Sequence, residues 1–120
     1  AMNLVPGVAR VNGATSGVEF EGGVRLPLPA HARPADGQAV LYGMRPEHCV
    51  VSANAGLPAE VVVVEPTGAD TQLFCRFNGQ ELTSLVRDRV SCRAGDKVGL
   101  MPDLARAHLF DTASGVRLVA

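Results

Sequence analysis

Reactive side chains stand close together at only a few places in this chain. Glu47-His48-Cys49 sets a carboxylate, an imidazole and a thiol side by side, the residue types of acid–base and nucleophilic chemistry. Neighbours on extended backbone point to opposite faces, so these three cannot converge on one substrate. A working Cys–His pair would need tertiary structure to bring Cys75 or Cys92 to a histidine. His108 and Asp111 could form an acid–base couple, but one of them closing the last turn is the plainer reading. His31 falls in a proline-bearing loop over 29–37 and reads as solvated.

Other chemistries lack their patterns. Cys49, Cys75 and Cys92 are widely spaced, without a C-x-x-C or a Cys/His cluster, so neither a disulfide framework nor a zinc site is signalled. The calcium pattern D-x-D-x-D-G is absent. Lys97, the only lysine, follows Gly95-Asp96 at the start of a strand rather than opening a helix, and no G-x-x-x-x-G-K-S/T phosphate loop occurs. Gly13 to Gly17 is glycine-rich but lies between β segments. We expect no catalytic, cofactor or metal site in these residues. A formal net charge of −1 and five aromatics without a Lys/Arg run argue against a nucleic-acid partner, and none is expected. No apolar run approaches the ~20 residues that span a bilayer, and no signal peptide opens the chain.

The elements that must position these groups are strands. Val8–Val11, Val18–Phe20, Val24–Leu28, Gln38–Met44, Cys49–Val51 and Glu60–Glu65 read as extended, the last through four successive valines. Thr71–Phe77 alternates, with Leu73, Cys75 and Phe77 on one face. Asn78-Gly79 signals a hairpin into Leu82–Val86. Lys97–Met101, Ala107–Phe110 and a last piece at Val116–Leu118 follow. Pro27 belongs at an edge or a bulge. Arg45-Pro46-Glu47-His48 predicts a turn or short 3-10 piece locked by an Arg45–Glu47 ion pair. Asp103–Arg106 is at most one helical turn. Residues 1–7 read as a linker from a missing domain and 8–120 as the domain itself. About ten short strands with regular turns predict an all-β barrel or sandwich, and the loop at 52–58 permits two small interlocked barrels.

Three segments in order carry a family resemblance. Tyr42-Gly43-Met44-Arg45-Pro46-Glu47-His48 is followed by Val64-Glu65-Pro66-Thr67-Gly68-Ala69-Asp70-Thr71, and then by His108-Leu109-Phe110-Asp111. Together they resemble the C-terminal extension of the ATP-binding subunits of bacterial carbohydrate ABC importers, of the maltose and glycerol-3-phosphate type. Met2-Asn3-Leu4 is similar to the stretch at that family's domain junction. Met44 and Cys49 depart from its commoner residues without touching any chemistry. The resemblance implies an OB-type barrel arrangement, the transport-associated OB (TOBE) domain, with ATP and Mg only in the missing ATPase domain. It implies a homodimer made through this domain, membrane permease subunits as indirect partners, a regulatory protein as a further partner, and a cytoplasmic place at the inner face of the bacterial inner membrane.

The leading reading is therefore a non-catalytic regulatory and dimerisation domain. Phe110, with His108 and Leu109, is the expected interface, because a projecting aromatic in a short terminal strand is a common anchor. The block Arg45, Pro46, Glu47 and His48, with Glu65 and Gly68, is expected to be structural. The alternative is an OB-type module sensing an oxyanion or a sugar, with Arg45, Arg76, Arg87 and Arg89 lining one face.

Overall fold

The computed structural model describes residues 1–87 and 91–119. Ten strands among them form two five-stranded antiparallel sheets, as the alternation and turn spacing require. The strands are β1 (Asn3–Arg10), β2 (Gly17–Glu19), β3 (Arg25–Pro27), β4 (Ala39–Met44), β5 (Cys49–Ser52), β6 (Leu57–Thr67), β7 (Asp70–Phe77), β8 (Gln80–Val86), β9 (Lys97–Pro102) and β10 (His108–Asp111). Among the described residues, helix is limited to 3-10 turns at Gly13–Thr15 and Pro46–His48. The chain divides into a terminal unit, Met2–Met44 with the residues from Asp103 onward, and a central unit, Arg45–Pro102.

The terminal unit has the order β10-β4-β1-β2-β3. Val5, Ala9, Val18, Leu26, Val40, Met44 and Leu109 fill its core. Tyr42, fully buried on β4, packs edge-on against Phe20 at 6.0 Å and donates its hydroxyl to the Pro27 carbonyl at 2.9 Å. That bond satisfies a polar atom that would otherwise be buried at a cost. Pro27 sits on the edge strand, where its missing N–H breaks no ladder. Beyond β10 the chain returns, with Asp111 and Leu118 donating N–H bonds to Val116 and Leu109.

The central unit has the order β5-β9-β6-β7-β8. Leu73, Cys75 and Phe77 are buried as their alternation requires, while Arg76 between them is exposed. Asn78 and Gly79, at φ 49° and 75°, make the two-residue turn whose twist matches the flanking strands. Gly68, at φ 86°, supplies the left-handed position of the β6–β7 hairpin, where Thr67 pairs with Asp70.

Several expectations are corrected. Asn3–Gly7 is not a linker: it is the first half of β1, paired along its length with β4, because Asn3 and Val5 find buried places that a lone segment lacks. The strand of four valines is longer than its apolar run, starting at Leu57 within the expected loop, and it carries a bulge between Val61 and Val63. Asp103–Arg106, by contrast, is the single turn expected of it, in which the Asp103 carbonyl accepts from Arg106 and Ala107. No ion pair between Arg45 and Glu47 forms among the described residues. Both side chains are exposed, where pairing gains little. The turn is held instead by the His48 N–H on the Arg45 carbonyl at 2.9 Å and by the fixed φ of Pro46.

Candidate functional site

Strand β4 turns Val40, Tyr42 and Met44 into the core, so Leu41 and Gly43 belong to the opposite face of the sheet. Register places Leu4 of β1 and His108 of β10 on either side of Gly43, and Pro6 and Phe110 on either side of Leu41. A Cβ at Gly43 would lie 2.6 Å from Met2 Sδ, 2.9 Å from Phe110 Cε2 and 3.4 Å from Leu4 Cδ2. Glycine at this position lets three apolar side chains close over the strand. Leu4 remains 39% exposed, and Met2, Leu41 and Phe110 are half-buried. The result is an apolar patch, with the His108 ring 6.2 Å from that of Phe110 on its border. Such exposed apolar area favours removal from water by roughly 25 cal/mol per Å², which gives the face chemistry for contact.

Of the expected interface trio, Phe110 and His108 lie on this face and Leu109 does not. Leu109 is 1% exposed and faces inward opposite Tyr42, since alternation along a strand must bury one residue of three in a row. Met2, Leu4, Leu41 and Gly43 were missed. The available signal was a glycine inside a strong strand, which marks close approach. Asp111 does not couple to His108. Its carboxylate accepts from Gln38 Nε2 at 3.0 Å and from Ser114 N and Oγ at 2.9 and 2.7 Å. The Gln38 bond, then the two from Ser114, hold this carboxyl below the usual range. His31 is exposed.

The structural block divides between the units: Gly43 and Met44 end β4, and Arg45 to His48 open the central unit. Glu65 is exposed on β6, opposite Gln72. Arg45, Arg76 and Arg87 are exposed; Arg89 lies outside the described residues. Arg76 stands in register between Glu60 and Glu81, and Glu60 also faces Lys97, whose ammonium is 3.1 Å from its carboxylate. A row of alternating charge thus crosses β9, β6, β7 and β8, and carboxylates already flank Arg76. Burial pushes the Cys49 thiol up to about 12, with Cys75 adding to the shift, and the Cys75 thiol up to about 11. Cys92 is raised in the same direction by burial and Asp96. These thiols stay protonated, a poor state for a nucleophile. Among the described residues, no three His, Cys, Asp or Glu side chains group as metal ligands, and no helix is long and apolar enough to cross a membrane.

Comparison with known proteins bears on this geometry. The family model described as TOBE domain matches residues 42–110, and that described as MalK OB fold domain matches residues 1–49. An uncharacterized ABC transporter ATP-binding protein, y4oS of Sinorhizobium fredii, is 43% identical over 119 residues, covering 98% of this chain and 31% of the relative. The sn-glycerol-3-phosphate import ATP-binding protein UgpC of Escherichia coli strain K12 is 34% identical over 120 residues, with 98% of this chain and 33% of the relative covered. The chain thus spans about a third of the length of these curated relatives. A solved structure of the cytoplasmic molybdate-binding protein ModG superposes with a TM-score of 0.72 over 95% of both chains, at 16% identity. That likeness is one of fold, and it agrees with the all-β architecture expected from the strand pattern and with the OB/TOBE-type arrangement implied by the family resemblance.

Proposed function

The chain belongs to the TOBE domain family, and from that premise we propose that it is the accessory regulatory and dimerisation domain of the ATP-binding subunit of a bacterial ABC importer for a carbohydrate or glycerol-3-phosphate-like solute. Under this reading ATP and Mg bind elsewhere in the whole subunit. The domain works in the cytoplasm at the inner face of the inner membrane, touches permease subunits only indirectly, and receives its own copy or a regulatory protein. Relatives named as ABC ATP-binding proteins that match it along 98% of its length support the assignment.

The observation that carries the contact role is the patch of Met2, Leu4, Leu41 and Phe110 gathered over Gly43. Aromatic anchors contribute disproportionately to binding when they enter a partner's pocket. Sedimentation of the whole subunit, with and without Phe110→Ala, tests the reading. Weakened self-association with an unchanged circular-dichroism spectrum is expected. An undisturbed dimer, or a monomeric parent, would remove Phe110 from the contact.

A further inference from the structure

The bulge on β6 has a chemical consequence. Up to Val61 the strand buries alternate residues: Leu57, Ala59 and Val61 are each 3% exposed or less. Val61 pairs with Cys75 and Val63 with the adjacent Phe74, so Val62 is an extra residue without an opposite number. The phase reverses there, and Val63 is turned outward, 46% exposed, beside a half-buried Phe74. Without the bulge Val63 would continue the buried set. The sheet therefore gives up regular pairing and sets an aliphatic side chain in water, and bulges commonly re-aim a side chain in this way.

Val62, Val63 and Phe74 floor a groove of about 260 Å³, bordered by Glu65, Arg76 and Glu81. This is below the ~300–1,000 Å³ of pockets that enclose small-molecule ligands, and suits one or two side chains of a polypeptide. The border is not neutral. Arg76 has Glu60 and Glu81 on its two sides, whereas Glu65 faces the uncharged Gln72. The carboxylates outnumber the guanidinium, so the complementary occupant brings a cation.

We propose that this groove docks a partner polypeptide by an apolar side chain that lies next to a lysine or arginine. The apolar residue covers Val62, Val63 and Phe74, and the cation meets Glu65. The site lies wholly in the central unit and is independent of the importer reading.

The test is selection of a phage-displayed heptapeptide library on the immobilised chain. Selected peptides are then re-bound to Val63→Asp, Val63→Thr and Glu65→Lys, with circular dichroism as the check on folding. The expected result is a consensus pairing an apolar residue with Lys or Arg, weakened about tenfold by Val63→Asp and by Glu65→Lys. Should Val63→Asp fail to fold, the conservative Val63→Thr decides, with a smaller loss expected in the same direction. No consensus, an acidic consensus, or peptides that bind the variants as well as the parent would overturn the proposal. So would sedimentation showing a self-associated parent that Val63→Asp or Val63→Thr dissociates, because the occupant would then be a second copy.

Discussion

Ser84, on β8, donates its hydroxyl to the carbonyl oxygen of Cys49, on β5, at 2.7 Å. These strands stand at opposite ends of the order β5-β9-β6-β7-β8, so the bond brings the two margins of one sheet together. Closing a sheet on itself removes the exposed edges that invite pairing with other chains. Ser84 is fully buried, and neither partner can turn to water instead. Ser84→Ala is expected to lower stability by about 1–3 kcal/mol. Urea denaturation should show an earlier midpoint with an unchanged slope.

Two glycines inside strands should respond differently to alanine. A Cβ at Gly99 would overlap the Ala55 carbonyl and approach the Ser52 carbonyl to 3.1 Å, both backbone atoms that cannot swing aside. Gly99→Ala should cost about 1–3 kcal/mol. At Gly43 the obstacles are the ends of Met2, Phe110 and Leu4, which can rotate away. Gly43→Ala should cost about 1 kcal/mol or less. Thermal melts of the two variants side by side check the order.

Asp111 ties the end of β10 to Gln38 and Ser114, and those hydrogen bonds favour its charged form. The folded carboxyl titrates below the unfolded one, so the unfolded chain binds the proton first. The contribution of Asp111 is present above the ordinary carboxylate range and is lost as pH falls through the depressed folded value. Asp111→Asn should therefore be less stable than the parent at neutral pH, with the gap closing in acid. Denaturation curves across pH 2–7, roughly the window set by a carboxylate of ordinary pKa, measure it.

The cysteines titrate in the opposite sense. Cys49 and Cys75 are held up at about 12 and about 11 in the folded chain, against 9.0 for a free thiol. Their contribution to stability is complete below pH 9 and drains away as pH rises toward the folded values, because the unfolded thiols ionise first. Under native conditions iodoacetamide should modify the half-exposed Cys92 first and leave Cys49 and Cys75 intact. Mass spectrometry of the alkylated chain reads the order directly.

Much of the architecture was legible in short segments because its causes are local. Asn78-Gly79 adopts the left-handed turn that few other residue pairs tolerate. Pro46 presets the 3-10 turn, and the alternation from Leu73 to Phe77 separates core from surface one residue at a time. Phe110 could be singled out as an aromatic in a short terminal strand. Its neighbours could not, because Met2, Leu4 and Gly43 meet it only through the pairing of β1, β4 and β10.

Pattern and turn chemistry by themselves determined that this chain is all-β, where its hairpins turn, and which faces of most strands are apolar. Three ordered segments separately carried the family resemblance. Only the tertiary structure decided that residues 3–7 are a strand, that Leu109 belongs to the core while Phe110 does not, and that Val63 faces outward. The physical reason is that a strand's phase and its partners depend on hydrogen bonds to residues distant in sequence. One bulge at Val62 inverts every later side chain on β6, and nothing within a run of four valines marks which of them is the extra one.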